Sequence, residues 1–230
     1  MRLFTNNLDC RFRHGALLLS CVVLLHACGG VGSVKERGAA TADKTPVPIS
    51  ASLQSDFNKA LALMKKGKYE EAIPQLEAIL AKNDQLPGTQ INLAIAYMAL
   101  DAKEKAARDS NLKKAENAIL RAVEVNSRDA TAQQQLGLLY RKTGRFAESR
   151  KAYERAIELQ PDYSLAHYNL GILCDIYLQD LKCAIAHFEK YVSLVAEDTD
   201  QVKLWLSDLR RRAGVPEPAA NTTASSEAGS

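Results

Sequence analysis

The sequence predicts an all-α protein: a stack of about four antiparallel helix hairpins closed by a C-terminal helix. Three observations carry this. The pattern Gln133-x2-Leu136-Gly137-x2-Tyr140 returns as His167-x2-Leu170-Gly171-x2-Cys174, 34 residues later. Each such pattern is followed by a second one, small-x3-large-x2-apolar. Apolar residues spaced i, i+3, i+4 and i+7 then fill almost all of residues 51–213, the spacing of helices with one buried face.

The chain opens differently. Arg11, Arg13 and His14 precede a ten-residue apolar run, Ala16 to Leu25. That run suits the core of a signal peptide and is too short to cross a bilayer. It ends in Leu25-His26-Ala27-Cys28, which resembles the bacterial lipobox at Leu25, Ala27 and Cys28, while His26 departs from it. The resemblance implies cleavage after residue 27 and lipidation of Cys28, since the lipid is carried as a thioether on a thiol at the new N-terminus. Several acyl chains there exceed what stable anchoring needs. Gly29, a non-acidic residue after the cysteine, suits sorting to the outer membrane, facing the periplasm. Leu18-Leu19-Ser20-Cys21 is a rival site, but it would cut the apolar core in half. Residues 1–27 are thus expected to be a lipoprotein signal peptide, and 28–50 the lipidated cysteine with a flexible tether. Gly, Ser, Lys, Thr and Pro without periodicity favour a solvated chain there.

The hairpins come next, in order. Their first helices carry Phe57-x2-Ala60-Leu61-x2-Met64, Gln90-x2-Leu93-Ala94-x2-Tyr97, and the two patterns already given. Their second helices carry Ala72/Leu76/Ile79, Ala115/Ile119/Ala122, Ser149/Tyr153/Ala156 and Ala184/Phe188/Tyr191. Pro161 closes the third unit. This succession resembles the tetratricopeptide repeat (TPR) over about residues 52–197. The resemblance implies a right-handed superhelix of antiparallel helix hairpins, a TPR-like α-solenoid. One hairpin cannot bury its own apolar face, so the units must stack. Gly67 and Gly144 mark hairpin turns, where positive φ is easy for glycine alone. Pro74 falls inside the second helix of unit one and is expected to weaken its first turn. An insertion in unit two, about Asp101 to Leu112, reads as an extension of the first helix or a charged loop. Val202, Leu206 and Leu209 predict a capping helix that Gly214 and Pro216 stop, leaving 214–230 as a disordered tail.

Composition and motifs exclude several functions. The first 27 residues remove three arginines and one aspartate from 30 basic and 27 acidic residues, leaving 27 and 26. A near-neutral chain lacks the basic face that nucleic acid requires. No nucleophile, base and acid stand at a telling spacing, and Gly29-Gly30-x-Gly32 precedes no strand. The expectation is a non-enzyme without cofactor or metal. His167 and His187, the histidines outside the leader, read as packing or surface residues. Cys174 and Cys183 fall on the two helices of unit four. A disulfide across that hairpin is one reading, and two buried thiols packing as small apolar groups is the other.

In superhelices of this kind the first helices line the concave face. The resemblance places Ile91, Ile95 and Met98 there in unit two. Thr131, Gln134, Leu138, Arg141 and Lys142 follow in unit three, and Leu165, Tyr168, Ile172 and Asp175 in unit four. Asn92 and Asn169 are positioned to bond an extended peptide backbone. The expected function is a membrane-anchored scaffold or adaptor of the bacterial envelope, holding a peptide or helix of an unidentified envelope protein in an apolar groove. Alternatives by architecture are a pilotin-like assembly factor for a type IV pilus or secretion complex, an adaptor for peptidoglycan hydrolases, or an accessory subunit of a proton-driven energy-transducing system. An envelope enzyme and a self-assembling structural protein are further from the sequence.

Overall fold

The structure, a computed structural model, describes residues 50–100, 103–197 and 199–216. The leader, Cys28, the tether to residue 49 and the tail beyond 216 lie outside the described residues. Among those described, the chain forms nine α-helices and one π-helical turn. The order is α1 (Ala51–Lys65), α2 (Tyr69–Lys82), α3 (Pro87–Ala99), α4 (Lys105–Val125), α5 (Ala130–Lys142), α6 (Phe146–Leu159) and α7 (Ser164–Ile172). The π-helical turn (Leu173–Leu178), α8 (Leu181–Leu194) and α9 (Asp200–Ala213) complete it. No helix among these residues is long and apolar enough to cross a membrane.

The helix ends follow from local chemistry. Ser50, Asp129 and Asp180 cap α1, α5 and α8, each side chain accepting from the backbone N–H three residues on. Such caps satisfy donors that the first turn leaves unpaired. Pro87 opens α3 at a position where its missing N–H costs nothing. Lys68 N donates to Leu63 O and Arg145 N to Tyr140 O, while Gly67 and Gly144 take φ of +72° and +77°. These paired bonds end α1 and α5 in the same way.

The helices pair as hairpins, α1 with α2, α3 with α4, α5 with α6 and α7 with α8. Consecutive first helices touch (α1 with α3, α3 with α5, α5 with α7), so they form one layer and the second helices the other. α9 packs on α8 through Val202, Leu206 and Leu209, all buried. Burying each of these side chains stabilises by about 1.5–3 kcal/mol. One core cluster spans units one to three around Leu76, Ile119 and Leu139. A second joins Tyr153 to Leu170, Leu173, Phe188 and the apolar face of α9.

Close approach inside units three and four depends on glycine. A Cβ at Gly137 would lie 2.6 Å from the Tyr153 ring, and one at Gly171 would lie 2.8 Å from the Phe188 ring. The buried Ser149 hydroxyl donates to the Gly137 carbonyl at 2.7 Å, locking the same crossing.

Two expectations are corrected. The insertion of unit two extends the second helix: α3 ends at Ala99, and Lys105–Leu112 form the first two turns of α4. Lys, Ala and Arg are strong helix formers and need no buried partner to continue a helix. In unit one the turn bonds equate Leu63 with Tyr140, so the fully buried Ala60 is the counterpart of Gly137. The repeat register over α1 is therefore shifted by one residue from Phe57-x2-Ala60-Leu61. Pro74 is exposed, and α2 runs through it.

Candidate functional site: the first-helix face and the fourth hairpin

The predicted groove divides in two. In unit two, Ile91 is 5% and Met98 9% exposed, and in unit three Gln134 is 1% exposed. Ile91 packs with Ala122 and Ala132, and Met98 joins the main core. These three side chains are interior packing and offer little to a ligand. Ile95 is half-buried against the same clusters. Asn92 and Asn169 each spend their amide N–H on the carbonyl four residues back, Gly88 at 2.7 Å and Leu165 at 3.0 Å. Neither amide nitrogen is aimed outward with both protons spare, as free peptide recognition would want.

From unit three onward the face opens. Leu138, Tyr168 and Ile172 are half-buried, and Leu165 is 44% exposed. Arg141 lies between α5 and α7, donating to the buried Asn169 Oδ1 at 3.4 Å. Lys142 is exposed at the edge of a 580 Å³ cleft that it shares with Tyr97, Leu100 and Leu112. Asp175 is held by Arg212 of α9 at 3.1 Å.

The capping helix contributes to this face, which the repeat pattern did not show. Trp205, the single tryptophan of the chain, is 37% exposed and stacks on Tyr168 with ring centres 6.3 Å apart. Tyr168 also meets Tyr191 at 5.1 Å, and Phe188 lies 5.9 Å from Trp205. The result is an aromatic platform made by α7, α8 and α9, partly open to solvent. Aromatic rings of this kind bury much area with few rotamers to freeze. Its sequence signal was Trp205 itself, offset from the Val202/Leu206/Leu209 stripe that packs on α8.

The platform stands on a hairpin clamped at two levels. Near the tip, Cys174 and Cys183 form a disulfide with Cα atoms 5.8 Å apart. Cys174 is fully buried, at the position equivalent to Tyr140. Nearer the base, His167 Nδ1 and His187 Nδ1 are 3.0 Å apart, and His167 Nε2 is 3.1 Å from the Pro161 carbonyl. A carbonyl only accepts, so His167 carries its proton on Nε2 and presents a lone pair at Nδ1, to which His187 Nδ1 donates. Burial lowers the pKa of both rings. That of His187 is pushed down to about 4, by burial first and by His167 second. Sequence reasoning treated each histidine alone, because partners 20 residues apart meet only when α7 and α8 pair.

The π-helical turn runs into the loop that the disulfide closes and ends at Gln179 with φ of +54°. Asp180 N reaches back to Cys174 O across six residues, one more than at the tips of units one and three. Among the described residues no group of three or more His, Cys, Asp or Glu side chains is placed to hold a metal ion.

Comparison with known proteins agrees with this architecture. A family model described as tetratricopeptide repeat matches residues 57–109, and a TPR repeat model matches residues 137–173. No curated protein matches the chain. Among solved structures, the chain is similar to TTC0263, a thermophilic TPR protein of Thermus thermophilus, at 22% identity and a TM-score of 0.62, covering 68% of this chain and 80% of that one. It is similar to Pseudomonas aeruginosa pilF at 20% identity and a TM-score of 0.61, covering 71% and 69%. MamA 41-end from Desulfovibrio magneticus RS-1 follows at 18% identity and a TM-score of 0.57, covering 73% and 88%. At such identities the likeness is one of fold. The hairpins described above form an all-α, TPR-like solenoid, and two stretches of it match models of the tetratricopeptide repeat.

Proposed function

We propose that the protein is a protein–protein interaction scaffold of the bacterial envelope, anchored to a membrane through Cys28. It holds a helix or extended segment of a partner on the first-helix face of units three and four. The observation that carries this reading is the aromatic platform of Tyr168, Tyr191 and Trp205 beside Leu138, Leu165 and Ile172. Apolar side chains left open on an otherwise well-packed solenoid mark a surface meant to be covered. The basic edge at Arg141 and Lys142 gives such a partner an orientation. The anchor is supported by the lipobox-like Leu25-His26-Ala27-Cys28 and by the tether composition of residues 29–49.

A photo-crosslinker in place of Leu165, in the full chain expressed in cells, tests the face. Adducts with a defined envelope protein are expected. Tyr168→Glu, with helical content unchanged, should reduce them by about tenfold or more, since aromatic anchors at interface centres carry at least about 1.4 kcal/mol. Undiminished adducts would reject the face. In the same cells Cys28→Ala should remove palmitate labelling and move the protein to the soluble fraction. A labelled, membrane-bound variant would reject the anchor. The alternative of a pilotin-like assembly factor would make the crosslinked partner a secretin subunit, and an adaptor role would make it a peptidoglycan hydrolase.

A further inference from the structure

We infer that the His167–His187 pair is a proton-operated latch, which keeps the fourth hairpin closed at neutral pH and opens it in acid, loosening the aromatic platform. The regulatory part of this inference rests on the platform being the binding face.

The geometry dictates how the pair takes up protons. With His167 Nε2–H given to Pro161 O, the neutral pair has one N–H···N bond, from His187 Nδ1 to His167 Nδ1. A first proton leaves one N–H···N bond in place, because the ring that stays neutral still offers its Nδ1 lone pair to the N–H of the charged one. A second proton leaves neither ring a lone pair at Nδ1. Two N–H groups and two like charges would then face each other across 3.0 Å, and the contact breaks. The surroundings decide how reluctant the pair is. Arg150 of α6 and Lys190 of α8 oppose charging, and Glu154 of α6 favours it. Arg150 is itself bound to Glu154 at 2.8 Å and to Asp180 at 3.5 Å, so neither α6 charge acts alone.

The fold turns this chemistry into movement. The hairpin is fastened covalently near its tip by Cys174–Cys183, and near its base by the histidines and Pro161. Releasing the base leaves the disulfide as a pivot. Each histidine precedes a member of the aromatic cluster in sequence, Tyr168 and Phe188. Separating α7 from α8 at the histidines therefore separates those two rings, which meet edge-on at 6.1 Å. Because both rings have lowered pKa values, the native pair binds fewer protons than the unfolded chain below the ordinary histidine value. The stabilisation it provides is complete above about pH 6.5 and is lost as pH falls toward about 4.

Trp205 reports the movement directly, because it packs on Tyr168 and Phe188. The test is a titration of Trp205 emission in the full chain from about pH 7.5 to about pH 3.5, with far-ultraviolet dichroism recorded in parallel. A reversible spectral transition is expected between about pH 6.5 and pH 4, before helical signal is lost. His187→Gln keeps a donor for His167 but cannot charge, and should remove that transition. His167→Phe, which keeps a planar ring but takes up no proton, should also remove it and covers the case in which the glutamine variant folds poorly. Identical transitions in the wild type and both variants would overturn the latch. So would an emission change that only accompanies global unfolding. Failure of the binding face is a separate result: Tyr168→Glu would leave partner crosslinking intact while the acid transition of Trp205 persisted in the wild type.

Discussion

A methyl group at Gly137 would overlap the Tyr153 ring, which is itself fully buried and hemmed in by the second core cluster. The ring is no flexible chain end, so it must move with the helix that carries it. Gly137→Ala is expected to destabilise the domain by about 1–3 kcal/mol, the usual cost of overpacking, and urea denaturation of the variant checks it. An unchanged midpoint would mean that α5 and α6 cross less closely than described. Burial also pushes the Tyr153 hydroxyl up to about 12. Gly137 was visible in the sequence as a repeating small residue. Which ring it faced followed from the second-helix pattern, in which Tyr153 is the large member. The histidine pair was not visible, because its meaning comes from a distance across two helices and from the Pro161 carbonyl.

At the scale of elements, unit four carries one residue more than unit three between corresponding positions. Tyr140 to Ser149 spans nine residues, and Cys174 to Ala184 spans ten. A helix absorbs one extra residue by widening locally into a π turn, and Leu173–Leu178 does so. The widened turn leaves Gln179 in the left-handed region where units one and three use Gly67 and Gly144. A side chain there costs about 1–2 kcal/mol in backbone strain, part of which glycine's looser unfolded chain returns. Gln179→Gly is therefore expected to stabilise by up to about 1 kcal/mol, read as a raised thermal midpoint. A lowered midpoint would show that the Gln179 side chain makes a contact worth more than the strain. The extra residue was countable in the sequence. That it would appear as a π turn stapled by Cys174 and Cys183 was not, because a loop or a shifted register would satisfy the same count. The same ambiguity misassigned the insertion before Leu112, where helix-forming residues extended α4.

At the scale of the whole molecule, a solenoid has two ends, and each must present a face that water tolerates. α9 supplies the C-terminal one, burying Val202, Leu206 and Leu209 while turning charged residues outward. Arg210 ties it to Glu189, and Arg212 ties it to Asp175. Truncation after Leu194 would uncover Ile185, Phe188 and Val192 on α8. Such a chain is expected to self-associate, seen as a concentration-dependent mass in light scattering, whereas a monodisperse monomer would show that α9 is dispensable as a cap. Removing α9 also removes Trp205, and with it one wall of the platform.

The sequence by itself determined that the chain is all-helical, that its helices come as stacked hairpins, where those hairpins turn, and that α9 closes the array. These are properties of apolar period and turn chemistry, which are local and repeat along the chain. Tertiary structure decided which first-helix residues remain open. Ile91 and Gln134 occupy the repeat position of Tyr168, and Met98 that of Arg141, yet all three are buried, because exposure depends on the size of neighbours contributed by other helices. It also decided that Trp205 joins Tyr168 and that His167 finds His187. Those meetings depend on how one helix lies across the next, a quantity that no spacing along a single helix encodes.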